Sequence, residues 1–190
     1  MRTADEKSRE KFLEAAMLEL KEHGAADFSI RRVAERCGVS SGEPYKHFKN
    51  KNDLILEAIK YINREWRKIQ SRIIVECGDD PRKRLVEISV AYTRFLCENP
   101  AYQSIIMMSD TSLSADQLRE KAKMSLRAER NINKYCQSVG MSEENKKRKT
   151  YAVRSFIFGA AFMINSGILE DSEESYDIVR SFIEREFDLE

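Results

Sequence analysis

Apolar residues recur at intervals of three and four along almost the whole chain, a spacing that places them on one face of an α-helix. No segment alternates apolar and polar residues over the length of a β-strand. The longest helix is expected over residues 51–77, and its apolar face comprises Leu54, Ala58, Ile59, Ile62, Trp66, Ile69 and Ile73. At about 1.5 Å per residue, that helix would extend over roughly 40 Å. The pattern predicts an all-α fold.

Helix-capping signals divide the chain into about nine predicted helices. Ser, Asp and Asn are favourable N-caps, and the candidates are Ser29, Asn50, Asp80, Asn99 and Ser142. Ser114 and Gln117 have the spacing of a capping box. Pro suits the first turn of a helix because its missing N–H is not needed there. Glycine suits the position just after a helix, as Gly24 and Gly140 illustrate. The predicted helices run over 3–23 and 30–37, from Ser40, over 51–77, from Pro81, from Pro100 to Met108, from Ser114 to Gly140, from Ser142, and from Asp171 or Ser172.

The charge of the chain is nearly balanced, with 33 Lys and Arg against 32 Asp and Glu and a formal net charge of +1. This balance excludes a nucleic-acid-binding protein that works through overall basicity, but it allows a local basic patch. Residues 28–51 hold such a patch, with six basic and two acidic side chains, whereas residues 170–190 hold nine acidic and two basic ones. Taken alone, the patch is equally compatible with an ordinary solvated helical face.

Four cysteines, at positions 37, 77, 97 and 136, show none of the close spacings of zinc or redox motifs. We therefore expect buried, inert thiols and neither a metal ion nor another cofactor. The apolar segment 151–169 contains Arg154 and Asn165, so it is too interrupted to predict a membrane span. Because the N-terminus carries no apolar export signal, we expect a cytoplasmic protein.

A short turn, Cys37-Gly38-Val39-Ser40, joins the second and third predicted helices, and its glycine gives the backbone the freedom that a helix-turn-helix motif needs. In such motifs the second helix enters the DNA major groove through its N-terminus. The segment 29–54 closely resembles the N-terminal signature of the TetR family of transcriptional regulators. The matching residues are Val33, Ala34, Gly38, Val39, Ser40, Tyr45, His47, Phe48, Lys51 and Leu54.

The resemblance implies a DNA-binding domain over residues 1–51 and a helical domain for effector binding and dimerisation over residues 52–190. It implies that the DNA contacts come from Arg31, Ser41, Gly42, Glu43, Tyr45, Lys46, His47 and Lys51. Basic and hydroxyl groups suit phosphate oxygens, and the Glu43 carboxylate suits the amino group of cytosine. Glu43 also stands in capping-box spacing with Ser40, and we favour that local role.

Large aromatic and methionine side chains of the second domain are candidates for an apolar effector pocket, although each also suits an ordinary core. They are Trp66, Tyr92, Phe95, Tyr102, Met107, Met108, Tyr135 and Phe162. The eighth predicted helix is basic at first, but residues 151–169 are apolar nearly all round, so we expect a second copy to cover part of this segment. The candidate interface residues, on the two helices that pair across a two-fold axis in the family, are Phe158, Gly159, Ala160, Ala161, Val179, Phe182 and Ile183.

These features together predict a homodimeric DNA-binding repressor that a small, largely apolar effector releases from a palindromic operator. The alternative is a DNA-binding regulator controlled by a protein partner, or one with a structural role and no small-molecule effector. An enclosed cavity in the helical domain would favour the first hypothesis, and a filled core would favour the second. We expect no enzymatic activity, because the sequence offers no nucleotide loop, metal spacing or nucleophile–base pair.

Overall fold

The computed structural model describes residues 4–106 and 113–188, and every regular element in these two ranges is helical. The α-helices are α1 (Ala4–His23), α2 (Ile30–Arg36), α3 (Lys51–Cys77), α4 (Pro81–Glu98), α5 (Pro100–Ile106), α6 (Ala115–Ser138), α7 (Glu143–Asn165) and α8 (Glu173–Asp188). A single 3₁₀ helix, Glu43–Lys46, lies between α2 and α3. The all-α prediction is confirmed, with eight α-helices in place of about nine, because the third predicted helix forms only this short 3₁₀ turn.

Side-chain caps recognised in the sequence begin most of these helices. An N-cap side chain that accepts a hydrogen bond from the first turn of its helix is found at Ser29, Asn50, Asp80, Ser142 and Ser172. At the start of α6, Gln117 Oε1 accepts a hydrogen bond from Ser114 N at 2.8 Å, and Ser114 Oγ accepts one from Gln117 N at 3.3 Å. The capping box predicted there is confirmed, and it satisfies backbone donors that the helix itself leaves unpaired.

The second capping box, predicted at Ser40 and Glu43, is wrong. The 3₁₀ helix has Gly42 as its N-cap, with no side-chain hydrogen bond, and the Glu43 carboxylate lies 2.8 Å from Lys46 Nζ instead. The physical reason is the tighter winding of the turn: Glu43 is already the first helical residue, and its N–H donates to the Ser40 carbonyl. Glu43 therefore occupies the first helical position, not the third position that a capping box with Ser40 as the N-cap requires.

The described chain divides into two compact units, and the first comprises residues 1–64 together with 99–124. In this unit α1 packs against α2 and α5, which is the reason that residues 99–106 belong to it. Its core is apolar and includes the buried side chains Phe12, Ala16, Leu20, Phe28, Val33, Phe48, Leu54, Tyr102 and Ile105. The functional boundary that we place between residues 51 and 52 stays a prediction, since compactness alone does not define a DNA-binding domain.

The second unit comprises residues 65–98 and 125–190. Here α4 packs against both α7 and α8, which also contact each other. The shared core of these three helices includes Leu85, Ile88, Phe95, Val153, Ile157, Ala161, Val179, Ile183 and Phe187. At the C-terminus of α8, Lys149 Nζ donates to the Glu186 carbonyl at 2.6 Å, a favourable place for a cation because the last carbonyls of a helix lack partners. Within the described ranges, no helix has the length and apolarity to cross a membrane.

Candidate DNA-binding surface

The helix-turn-helix segment is built on α2, whose Val33 and Ala34 are almost completely buried. After α2 the chain reverses direction at Gly38, where φ is +69°, a left-handed conformation that other residues adopt only with strain. Val39 N then donates to the Ala34 carbonyl at 3.1 Å, which closes the turn. Phe48, only 2% exposed, anchors the segment that follows the 3₁₀ helix.

The residues predicted to meet DNA are mostly exposed. Ser41, Gly42, Tyr45 and Lys46 all face solvent, as does Arg31 on α2, whose side chain is 79% exposed. Lys51 at the start of α3 is half-buried, with Nζ 5.9 Å from the centre of the Phe28 ring. These positions suit contacts to phosphates and base edges, and their assignment as DNA contacts stays a prediction.

His47 differs from the other candidates because its side chain is only 11% exposed. Its Nδ1 lies 2.9 Å from Asp5 Oδ1, and its ring packs 5.4 Å from the Phe12 ring, centre to centre. The His47 carbonyl accepts a hydrogen bond from Arg9 Nη1 at 3.0 Å. Only one edge of the imidazole is left for a phosphate, so α1 controls the orientation of this ring.

Four of the six basic side chains of the patch form ion pairs within the protein. Arg31 pairs with Glu35 at 3.0 Å and Lys46 with Glu43 at 2.8 Å, and both pairs are largely exposed. Exposed pairs of this kind contribute about 0.2–1 kcal/mol, so a DNA phosphate can replace the carboxylate at little cost. The other two paired residues, Arg32 and Arg36, contact carboxylates of α1. No ion pair is observed for Lys49 or Lys51 in the part of the chain that the structure describes.

The start of α3, next to Lys51, is held by α6. Gln117, which is completely buried, donates from Nε2 to the Asn52 carbonyl at 2.9 Å while it closes the capping box of α6. Further along, Asn63 Nδ2 donates to the carboxylate of Glu120 at 2.9 Å, and both residues are buried. These two contacts hold the N-terminal half of α3 against the N-terminal half of α6. The sequence predicts the capping role of Gln117 but not its hydrogen bond to α3, because the bonded residue, Asn52, lies 65 positions away along the chain.

The predicted effector-binding residues that the structure describes lie in different surroundings, and their role stays a prediction. Trp66 lies 5.1 Å from Tyr92 and 5.2 Å from Phe95, ring centre to ring centre, and these three rings fill core space in the second unit. Tyr102 belongs to the first unit, where it is 2% exposed. Phe162 is 61% exposed on α7, and Met107 and Met108 lie outside the described residues.

The last of these candidates, Tyr135, contacts the end of α8. Its hydroxyl donates to the Phe187 carbonyl at 3.2 Å, and the two rings meet edge to face at 5.4 Å. Burial raises the pKa of the Tyr135 phenol above its usual value, so the hydroxyl stays protonated and remains a donor. These contacts support α8 rather than line a cavity.

A separate cleft of about 240 Å³ opens in the second unit. Its lining combines apolar side chains of α3 and α4 with charged ones of α4 and α8: Ile69, Ile73, Glu87, Val90, Ala91, Arg94, Phe95, Glu98 and Arg180. Both arginines are paired, Arg180 with Glu87 at 3.1 Å and Arg94 with Glu173 at 2.7 Å. The hydrogen bonds to these carboxylates raise the pKa of both guanidinium groups. Of the effector candidates, only Phe95 lines this cleft. Residue type identifies aromatic candidates, but the position of the cleft depends on how α3, α4 and α8 pack together.

α7 has one buried apolar face and one solvent-exposed face. The buried face lies in the second unit and includes Ala160 and Ala161, at 7% and 0% exposure. The exposed face carries the large apolar side chains Tyr151, at 76% exposure, and Phe162, at 61%, together with Ser155 and Gly159. A side-chain carbon added at Gly159 would meet no atom within 4 Å, so this face is also open at its centre.

The predicted interface residues therefore divide into two groups. Ala160, Ala161, Val179 and Ile183 are buried in the core of their own unit. Gly159 is exposed, and Phe158 and Phe182 are half-buried. Phe182 stacks on Phe156 with ring centres 3.8 Å apart, which presents a flat apolar surface next to the exposed face of α7.

Three of the four cysteines are buried, and Cys97 is half-buried. Burial raises the pKa of all four thiols, which disfavours the reactive thiolate form. Among the described residues, no three His, Cys, Asp or Glu side chains cluster in a way that would hold a metal ion.

Comparison with known proteins supports the role assigned to the N-terminal segment. Residues 12–58 match the family model described as bacterial regulatory proteins, tetR family. The chain is 34% identical over 77 residues to the HTH-type transcriptional regulator BetI of Stenotrophomonas maltophilia (strain R551-3), a match that covers 40% of this chain and 39% of that protein. It is 23% identical over 146 residues to the "Probable acrEF/envCD operon repressor" of Escherichia coli (strain K12), covering 73% of this chain and 66% of that one. The chain thus spans between two fifths and two thirds of the length of these curated relatives.

Solved structures share the whole fold at low sequence identity. A TetR-like transcriptional regulator from Rhodococcus sp. RHA1 superposes with a TM-score of 0.74 at 14% identity, and the match covers 100% of both chains. The fatty acid degradation regulator FadR from Bacillus halodurans gives a TM-score of 0.72 at 16% identity, covering 97% of this chain and 96% of that one. At such identities the likeness concerns the fold alone.

Proposed function

We propose that this chain, whose residues 12–58 match the model of the tetR family of bacterial regulatory proteins, is a homodimeric repressor of that family, which binds a palindromic operator and leaves it when a small molecule binds. The observation that carries this proposal is the helix-turn-helix with exposed Ser41, Gly42, Tyr45 and Lys46, inside the segment that matches the family. Such a protein acts on chromosomal DNA, and we place it in the cytoplasm with a regulatory rather than catalytic role.

DNA recognition would divide between positioning and reading. Arg31, Lys46, Lys51 and the exposed edge of His47 would contact phosphates, which set the register of the protein on the duplex. Ser41 and Gly42 would lie against base edges, where small residues let the backbone approach closely. Glu43, whose carboxylate pairs with Lys46 in the free protein, would exchange that partner for a cytosine amino group. The Glu43→Gln variant should then alter operator sequence preference, and an unchanged preference would contradict the base-reading role.

Dimerisation would use the solvent-facing side of α7 together with α8. Exposed Tyr151, Phe162 and Ile178 and the half-buried Phe182 form an apolar surface that is unusual on a monomer. Two copies related by a two-fold axis would cover this surface and set the spacing between the two DNA-binding segments. Dimers of helix-turn-helix proteins read half-sites about 34–36 Å apart or a multiple of that distance.

The cleft near Phe95 is the candidate effector site. Apolar walls from Ile69, Ile73 and Val90 suit a small, largely apolar molecule, and the present volume of about 240 Å³ is below the roughly 300–1,000 Å³ of typical ligand pockets. Effector binding would widen the cleft and shift the population of conformations away from the one that fits the operator. The alternative, control by a protein partner or a structural role without an effector, is favoured by one observation: the Trp66 ring packs against the rings of Tyr92 and Phe95.

Selection of bound duplexes from a fragmented genomic library tests the proposed function. We expect a palindromic sequence to be enriched and its affinity to fall steeply with salt, because released counterions drive phosphate binding. Absence of any specific duplex while sedimentation shows an intact dimer would refute the DNA-binding role. A thermal-shift screen of small apolar compounds, followed by an assay of DNA release, separates the two modes of control. A compound that both stabilises the protein and releases it from DNA would support the effector hypothesis. Stabilisation without release, or no stabilisation by any compound, would favour the alternative.

A further inference from the structure

Glu19 on α1 is an ionisable residue that is completely buried in the first unit. Its Oε1 atom accepts hydrogen bonds from Arg32 Nε at 2.6 Å and from the Ser29 backbone N–H at 3.2 Å. Its Oε2 atom lies 3.5 Å from Arg36 Nε and 3.8 Å from His23 Nε2. One carboxylate thus connects α1 to the N-cap, the first turn and the last turn of α2, the helix that opens the helix-turn-helix.

Each arginine also contacts a second acidic residue near α1. Arg32 Nη2 lies 3.4 Å from Asp27 Oδ2 and donates to the Asp27 carbonyl, and Arg36 pairs with Glu22. The Arg32 and Arg36 side chains remain 35% and 28% exposed, so their guanidinium groups are directed toward α1 but are not sealed off. The hydrogen bond to Glu22 raises the pKa of Arg36 and keeps it a permanent cation.

Burial of Glu19 makes this cluster different from the other ion pairs of the basic patch. A phosphate can take Arg31 or Lys46 from its exposed carboxylate, since water immediately solvates the carboxylate that is left. If a phosphate took Arg32 or Arg36, it would remove one of the two guanidinium groups that compensate the fully buried Glu19 carboxylate, and a buried charge that loses compensation is unfavourable. The two arginines therefore remain on α1 when DNA arrives.

We propose that Glu19 is a positioning and specificity-determining residue for DNA binding, which fixes α2 through Arg32 and Arg36 and withholds both cations from DNA phosphates. This inference rests on the proposed DNA-binding function. It divides the six cations of residues 28–51 into a structural pair, Arg32 and Arg36, and four that are available to phosphate: Arg31, Lys46, Lys49 and Lys51. Limiting non-specific phosphate attraction in this way leaves a larger share of affinity to base contacts, which alone carry sequence information.

The salt dependence of binding to a duplex of scrambled sequence tests the withholding. Each phosphate contact contributes about 0.9 to the slope of log K against log salt. We expect the Lys51→Gln variant to lower the slope by about that amount, and the Arg32→Gln and Arg36→Gln variants to leave it unchanged. A slope that falls equally in the arginine variants would overturn the proposal, because Arg32 and Arg36 would then contact phosphate.

The Glu19→Gln variant tests the positioning, with Glu14→Gln as a matched control at an exposed position of the same helix. We expect the ratio of affinities for the selected and scrambled duplexes to fall about tenfold, the effect of one lost base contact, while the affinity for the scrambled duplex does not fall. An unchanged ratio in a variant whose circular dichroism matches wild type would refute the role of Glu19. If Glu19→Gln does not fold, the arginine variants decide the question through their slopes. Failure of the wild type to bind any duplex refutes the proposed function itself, a result distinct from either outcome above.

Discussion

Replacing Phe162 with Glu should convert the protein to monomers without unfolding it. The side chain is 61% exposed on α7, so its replacement disturbs little within the protomer. Complete burial of a phenylalanine is worth about 1.5–3 kcal/mol, and burial of the exposed three fifths is therefore worth about 1–2 kcal/mol. A two-fold interface contains two copies, which gives about 2–4 kcal/mol, or a dimer dissociation constant weakened roughly 30- to 1,000-fold. The added carboxylates, which would have to lose water in the interface, act in the same direction.

Sedimentation velocity over a concentration series measures this change, and a thermal melt at low concentration shows whether the protomer is intact. The Val75→Glu variant is the matched control, because Val75 is 79% exposed on α3 and lies outside the proposed interface. A Phe162→Glu protein that still dimerises as wild type would refute the assignment of this face. Ala160 is unsuitable for the same test: at 7% exposure it belongs to the core, and a larger side chain there would destabilise the protomer by overpacking.

Three further outcomes follow from the buried contacts. The Gln117→Leu variant should lose about 1–3 kcal/mol of unfolding free energy, measured by urea denaturation, because both the cap at Ser114 and the hydrogen bond to the Asn52 carbonyl are removed. The Ser114→Ala variant, which removes only part of the cap, should lose less. Equal losses in the two variants would show that the hydrogen bond to α3 contributes nothing. Burial acts to raise the pKa of Glu120, but hydrogen bonds from Lys123 and Asn63 outweigh it and hold the pKa below its ordinary value of 4.5. The stability that ionised Glu120 contributes is therefore present above that value and is lost as the pH falls through the lower folded-state pKa. Urea denaturation over a pH series should show this loss of stability at acid pH in wild type and not in Glu120→Gln. Identical pH profiles of the two proteins would contradict this prediction. Since burial raises the pKa of all four thiols, a thiol reagent at neutral pH should modify the native protein slowly and the unfolded protein rapidly. In the native protein, the half-buried Cys97 should react first. Fast labelling of Cys37 or Cys136 in the native protein would contradict their burial.

Local signals in the sequence predicted most of the helices because each cap depends on residues only three positions apart. Ser29, Asn50 and Ser142 begin helices for this reason, and Gly38 allows the sharp turn after α2. The same locality explains the error at Ser40, where a pattern that fits a capping box belongs to a 3₁₀ turn. Whether a short segment winds as an α-helix or a 3₁₀ helix depends on packing around it, here the buried Pro44 and Phe48, as much as on its own residues.

Candidate sites were less predictable than helices, and the reason differs from one site to another. Trp66, Tyr92 and Phe95 have the composition of a ligand pocket, but their rings pack on one another, which residue type cannot reveal. Phe162 was a pocket candidate by the same criterion and is exposed on α7. The lining of the cleft beside Phe95 includes Arg180, which is more than 80 residues away along the chain.

The sequence by itself determined that this chain is helical, where most helices begin and end, and which segment carries the helix-turn-helix. These properties depend on hydrophobic period and on caps, which act over one or two helical turns. The tertiary structure alone decided how the charges are used: two of the six cations of the basic patch are bound to the buried carboxylate of Glu19, and exposed carboxylates hold two others. A count of charges along a chain cannot show this, because the strength of an ion pair depends on the burial of its members. Burial is in turn a property of the packed helices together.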